Sequence, residues 1–454
     1  MSVFSKHEIG NQQLQIIAYV KNYISKCKKL GVDVANSSFC FLTGYNGTLG
    51  NITLKLKFCG LGFFFTFTKY FLLDFRNIST IKNYKINKEV LDKKKFKNLV
   101  ISSVTKNDFM KNGSYLDSYF KTNSKNFSKT LWFLISADDY CPSKTDDNVI
   151  IFSKKKTIIK YNLFYLINVF FKTLLKVKFS PIKMLHEFSF FTQFSNTVTD
   201  QVLTKILKKN FKKVIITYEA QPFQNNIFNK VKKYNNKIRT IGIYHTSLHP
   251  LPISLMYRSG NPDELMISGN FQKKILLKHL KWPASSVKTV PAFRYIKKNI
   301  IDMSGFIFLP NDFISSKIIV KEFESFLKKN NPNSIGRLKI RNHPHKSKSK
   351  KHIKLIKDLE NIIKKYQDRF SKKSNKESIF IGSTTSIIIA LETKVNAIHI
   401  CENPVFESYN DKIWKPLKVE QIGDKTFFYK LKKRNNLINF SKRGNMLRQH
   451  CSLN

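Results

Sequence analysis

The chain has 454 residues, 42% hydrophobic and 13% aromatic, which excludes wholesale disorder and allows two or three buried cores. Its formal charge is +50, yet 70 of its 80 basic residues are lysine. Nucleic-acid recognition leans on arginine forks, so the composition argues against nucleic acid and leaves an anionic membrane surface or codon bias behind the charge.

The opening residues lack the apolar stretch of a signal peptide. Residues 11–30 read as an amphipathic helix with Leu14, Ile17, Tyr19 and Ile24 on its apolar face. FCFLTGYNGTLGN (39–51) reads as a strand entering a loop whose glycines serve turns rather than a dinucleotide fingerprint. FCGLGFFFTF (58–67) is too short to span a bilayer and reads as a buried element or an interfacial anchor. Residues 80–130 are lysine-rich and read as a variable insertion. LWFLIS (131–136) is a buried strand running out to Asp138 and Asp139. Carboxylates there lie where α/β proteins bind ligands, or else cap the next turn. Asp146 and Asp147 read as solvated, and 160–210 as helical.

A strand–loop–helix rhythm follows. KVIITYEAQPFQ, RTIGIYH and ELMISG each switch from an apolar strand to a loop, the βα pattern of a parallel sheet. A short basic stretch at 291–305 marks a boundary. The second rhythm runs GFIFLP, RLKIRNHP, SIFIGS and NAIHICE, separated by helices at 315–329, 351–370 and 385–393. The expected division is 1–295, 303–425 and a basic helical tail over 426–454 that packs back on the first domain. The six cysteines, Cys27, Cys40, Cys59, Cys141, Cys401 and Cys451, form no CxxC pair and no zinc-spaced cluster. Free thiols in a reducing cytoplasm are expected, and no metal site.

Two features of the second rhythm carry chemistry. His343-Pro344 ends one strand. Gly382 breaks another into Ser383-Thr384-Thr385-Ser386 before a helix. Free N–H groups and the positive helix end make such a turn an anion site; a plain N-cap is its simpler reading. In the first rhythm Glu219 follows a strand and is the candidate general base, with His245 and Asp139 competing for the role. Arg294 and Arg341 are scarce arginines at strand or linker ends, suited to donor phosphate or to a structural ion pair. Glu402, after the last strand, suits a ribose diol or a plain turn.

The ordered set of strand, His343-Pro344, basic helix, strand, Gly382–Ser386 turn, helix and strand resembles the C-terminal domain of GT-B glycosyltransferases of bacterial surface carbohydrate. The nearest groups are the sialyl- and polysialyltransferases, capsular Kdo transferases and teichoic-acid glycerophosphotransferases. In those families the His-Pro histidine and the Ser/Thr turn hold the donor phosphate, which carries over to His343 with Pro344 and to Ser383, Thr384 and Ser386. Upstream, VIITYEAQPFQ, IGIYHTSLHPLP, PDELMISGNFQKKIL and VPAFRYI resemble a looser set of surface-carbohydrate proteins with Tyr-Glu-Gly-Gln and Gly-Tyr-Gln-His-Thr. This chain departs from them with Ala220 for the glycine and Ile243-Tyr244-His245 for Tyr-Gln-His. The likeness covers about 205–410 and leaves 1–130 without a family signal.

The resemblance implies an α/β, GT-B-like fold of two Rossmann-like domains facing across a cleft. A metal-independent enzyme without a cofactor is expected, and with neither a span nor a signal peptide in the sequence it is expected in the cytoplasm, soluble or peripheral on the inner membrane face. The donor would be a nucleotide sugar, CMP-linked if the sialyl families are the guide, and the acceptor a surface polysaccharide or lipid-linked glycan. A polyol-phosphate transferase with the same grip and a non-catalytic scaffold are the rival readings.

Overall fold

The computed structural model describes residues 4–31, 33–36, 96–136, 140–152, 175, 206, 210–296, 302–329, 338–343, 349–367, 376–432, 437–442 and 446–453. The Gly-rich loop at 39–51, the aromatic run at 58–67, nearly all of 160–210, Asp138, Asp139 and Pro344 lie outside them.

After α1 (Lys6–Lys29) come β1 (Asn98–Val104), the short hairpin β2 (Leu116–Asp117) and β3 (Thr122–Asn123), β4 (Thr130–Ser136), β5 (Val149–Phe152) and β6 (Lys213–Thr217). Then follow α2 (Pro222–Tyr234), β7 (Arg239–Ile243), β8 (Glu264–Ile267), α3 (Asn270–Leu280), β9 (Val287–Thr289) and β10 (Ala292–Ile296). Seven of these strands form one sheet in the order β5-β4-β1-β6-β7-β8-β9, parallel throughout. A sheet covered on both faces demands near-continuous apolar strands. Here Leu99, Leu131, Phe133, Val214 and Ile216 enter one cluster, while Val100, Trp132 and Ile215 enter another. Chain order runs outward from β1 through β4 to β5, then returns to β6 on the other side. That reversal places the topological switch between β1 and β6, and α/β ligands bind outside the carboxyl ends of strands at such a switch.

The second unit holds β11 (Phe306–Phe308), α4 (Ser316–Lys329), β12 (Lys339–Arg341), α5 (Lys350–Lys365), β13 (Glu377–Ile381), α6 (Ser386–Glu392), β14 (Asn396–Ile400), α7 (Pro404–Glu407), β15 (Leu417–Gln421) and β16 (Thr426–Leu431). Its sheet order is β12-β11-β13-β14-β16-β15. The first four strands are parallel and the last two antiparallel. One face packs with α4 and α5 through Ile307, Ile379, Phe323 and Leu355. The other carries Phe308 and Phe380 into a cluster continuous with the first unit. The fold is thus α/β with two Rossmann-like units packed together, the GT-B-like arrangement.

Three placements differ from the sequence reading. Asn98–Val104, inside the stretch read as an insertion, is β1, a strand in the middle of the first sheet. The α1 helix, opened by a Ser5/Glu8 capping box, docks on the second unit: Gln13 Nε2 donates to the carbonyls of Val405 (3.0 Å) and Ser408 (2.8 Å). The stretch from 426 begins as strand β16, because TFFYKL pairs with both β14 and β15. Among the described residues of the tail, helix is confined to α8 (Met446–Cys451), after β17 (Phe440–Ser441) has paired with β10. The tail does reach the first unit, where Leu447, Cys451 and Leu453 join the Trp132 cluster.

The loop after β7 ties the units together. Leu248 O accepts from the Tyr409 hydroxyl (3.2 Å) and Pro250 O from Trp414 Nε1 (2.9 Å). Among the described residues no helix is long and apolar enough to cross a membrane, and Cys141, Cys401 and Cys451 are free thiols.

Candidate functional site

Glu219 lies just past β6, beside the switch. The turn that presents it is held from several sides. Gln224, in the first turn of α2, accepts from the backbone N–H of Glu219 (2.8 Å) and of Gln221 (3.1 Å), and donates to Thr217 O (2.7 Å). Ala220 is left-handed, with φ of 58°, a conformation that costs an L-residue about 1–2 kcal/mol. That geometry explains why a glycine stands here in the Tyr-Glu-Gly-Gln pattern. The buried Arg258 guanidinium holds the strained peptide, donating to Ala220 O (3.1 Å), Val34 O (3.1 Å), Ser254 O (2.7 Å) and Met256 O (3.0 Å).

Both Glu219 oxygens are engaged. Oε1 lies 3.3 Å from His245 Nε2, and Oε2 accepts from Gln221 Nε2 at 2.9 Å. The Glu219 side chain keeps 34% of its surface exposed, whereas His245 keeps 6%. Burial, with a smaller contribution from nearby Arg294, pushes His245 down to about 3. The ring is therefore neutral near pH 7 and carries one N–H. Its Nδ1 is buried without a partner, so the proton belongs on Nε2, donating to Glu219. The Tyr119 ring packs edge-on against His245 at 4.4 Å. Burial, reinforced by the Glu219 charge, pushes the Tyr119 hydroxyl up to about 12. His249 is held low by burial against the opposing pull of Glu219; its Nδ1 is also buried and unpartnered.

In the second unit Gly382 sits at φ 63° and its carbonyl accepts from His399 Nε2 (2.7 Å). Ser383, Thr384, Thr385 and Ser386 are all half-buried. Thr385 occupies the N-cap position of α6 without a side-chain cap bond, while Thr384 Oγ1 accepts from the Ser386 N–H at 3.3 Å. Ser247 Oγ donates to Thr385 O at 3.0 Å. The loop carrying His245 and His249 thus touches the Ser/Thr turn directly.

The remaining candidates are more dispersed. His343 is half-buried just beyond β12, its N–H donating to Asn342 Oδ1 at 2.8 Å. One strand, β11, lies between β12 and β13, so His343 and the turn are about two strand spacings, ~10 Å, apart. The Arg341 guanidinium lies 5.9 Å from the Phe308 ring centroid, over the sheet face where Phe308 stacks on Phe380. Glu402 is committed to structure: its buried carboxylate accepts from Ile314 N (2.9 Å) and Ser315 N, just ahead of α4, a favourable place for negative charge. Asp146, read as solvated, is instead 6% exposed at its side chain and accepts from Ser114 Oγ (3.1 Å) and Tyr115 N (3.0 Å). Among the described residues no group of three His, Cys, Asp or Glu is placed to hold a metal ion. The sequence reading missed Tyr119, which lay in the supposed insertion, and Arg258, whose carbonyl partners leave no local pattern.

No family model matches the chain, and no curated protein matches it. Among solved structures it is similar to alpha,alpha-trehalose 6-phosphate synthase from Burkholderia multivorans, with 10% identity over 63% of this chain and 76% of that one and a TM-score of 0.34. It is also similar to E. coli heptosyltransferase WaaC with ADP, with 12% identity over 70% of this chain and 91% of that one and a TM-score of 0.24. Likenesses this distant decide nothing about function.

Proposed function

We propose that the chain is a GT-B-like glycosyltransferase. It moves a sugar from a nucleotide-sugar donor, held by the second unit, to a hydroxyl of a surface-polysaccharide or lipid-linked acceptor, held by the first. The observation that carries this reading is the Glu219–His245 contact of 3.3 Å beside the switch point, with the adjoining loop bonded to the Ser/Thr turn at Thr385. A carboxylate on one side and an anion-binding turn on the other are what glycosyl transfer needs.

In this reading the acceptor oxygen attacks the anomeric carbon. Its proton passes to Glu219, the bond from that carbon to the donor phosphate oxygen breaks, and the nucleotide leaves with the phosphate. His245 is not the base: Nε2 is turned to Glu219 and Nδ1 is buried, so no ring nitrogen is left for substrate. It positions Glu219. The Ser383–Ser386 turn takes the donor phosphate, with His343 and Arg341 along the same strand ends. Glu402 serves the pocket indirectly, by fixing the start of α4. The lysine excess suits an anionic membrane face.

A thermal-shift panel with CMP, CDP, UDP and GDP tests the grip. One nucleotide should raise the melting temperature. The shift should vanish in Ser383→Ala/Thr384→Ala and shrink in His343→Ala, while the unliganded melting temperatures stay close to wild type. A drop in unliganded stability with the nucleotide shift intact would reduce the turn to a helix cap.

A further inference from the structure

Arg294 stands on β10, at the margin of the Glu219–His245 site. Its guanidinium lies 5.7 Å from the Tyr119 ring centroid and 5.9 Å from that of Tyr295, and Tyr119 in turn packs on His245 at 4.4 Å. Arginine is scarce here, ten residues against seventy lysines. Of the other guanidiniums, Arg258 is occupied by four carbonyls and Arg239 by Glu264, while Arg341 lies on the second unit, over Phe308. Among the described residues no carboxylate, carbonyl or hydroxyl forms a hydrogen bond or ion pair with the Arg294 guanidinium, which lies over the two rings. The Tyr119 hydroxyl likewise donates to nothing among them. An exposed fork held by aromatic faces, next to an unused hydroxyl, presents donors in the geometry of a two-oxygen anion.

We propose that Arg294, assisted by the Tyr119 hydroxyl, binds a carboxylate or phosphate carried by the acceptor, so that the enzyme extends an acidic glycan. This rests on the glycosyltransferase reading. The anion belongs to the acceptor because Arg294 lies on the first unit beside the base, whereas the donor-phosphate turn belongs to the second. The acceptor's charged group would dock on Arg294 while its hydroxyl lies against Glu219.

The test compares methyl β-glucuronide, methyl β-glucoside and methyl β-glucoside 6-phosphate by ligand-observed NMR on the full chain. Wild type should bind at least one charged glycoside about tenfold more tightly than the neutral one, the scale of a charge-assisted bidentate contact. Which charged probe is preferred tells carboxylate from phosphate. Arg294→Ala should abolish the preference, Arg294→Lys should keep only part of it, and Tyr119→Phe should weaken it. Nucleotide binding should be unchanged in all three. Equal binding of the three glycosides, no binding of any, or a preference that survives Arg294→Ala overturns the proposal and leaves the donor site untouched. A charged preference without turnover of any nucleotide sugar would instead strike the glycosyltransferase reading.

Discussion

Glu407 offers a test that needs no substrate. It ends α7 with 1% of its surface exposed, and one carboxyl oxygen accepts from the Glu402 N–H at 2.7 Å. Burial, then the neighbouring Glu402 charge, pushes its carboxyl up from the ordinary 4.5 to about 8. Between those values the folded chain keeps a proton that the unfolded chain has released. Its contribution to stability is therefore complete below 4.5 and is lost as pH rises through 8. At about 1.4 kcal/mol per pH unit, the loss from pH 6.5 to 8 is about 2 kcal/mol. His245 and His399 run the other way. Burial holds them at about 3 and about 4, so the unfolded chain takes up their protons first and stability falls as pH drops below 6.5. His249, His279 and His450 are held low by burial as well and add to the acid limb, while burial raises Asp117, Glu377 and Glu392 against them; the alkaline limb is where Glu407 is read. Glu407→Gln mimics the protonated acid and should flatten the alkaline limb, while steepening the fall below pH 6.5 that the histidines cause. Melting curves of both proteins at pH 6.5 and 8 should show the variant gaining about 2 kcal/mol relative to wild type. Parallel pH dependences would refute the reasoning, because Glu407 would then titrate no differently in the two states.

Arg258→Lys exchanges a planar fork for a point donor and leaves buried carbonyls short of partners, at a cost of about 1–3 kcal/mol. Adding Ala220→Gly should recover part of that loss by relieving the left-handed strain; a double variant no more stable than Arg258→Lys would show that Ala220 is unstrained. Anionic vesicles should bind the chain more tightly than neutral ones and release it as salt rises, whereas equal, negligible binding to both would leave codon bias as the source of the charge.

Much of the second unit was legible because its strands are apolar runs between amphipathic helices. The sequence SIFIGSTTS marks both the end of β13 and the turn. Glu219 and His245 were legible for the same reason, each following an apolar strand. What escaped detection depends on contacts distant in sequence. NLVISSV is a sheet strand set among lysines, so composition hid it. Arg258 is one arginine whose partners are carbonyls at 34, 220, 254 and 256. Tyr119 matters only because its loop folds over His245. TFFYKL is a run of strand-favouring residues that pairs with β14 and β15, and reading the tail as one basic helix passed over it. Glu402 sits where a ribose contact was expected, yet its oxygens go to backbone N–H groups 87 and 88 residues away.

The central claim is that Glu219 accepts the acceptor's proton while His245 only holds it. The direct measurement is the rate of nucleotide release from the nucleotide sugar of the preferred base, across pH, for wild type, Glu219→Gln and His245→Gln. Glu219→Gln should lose about 10²–10⁴-fold in turnover with donor affinity intact, and its pH–rate profile should lose the acidic limb. His245→Gln keeps a side-chain N–H for Glu219 and should retain most of the rate and the limb. Near-normal turnover in Glu219→Gln, or a collapse in His245→Gln that takes the acidic limb with it, would contradict the account.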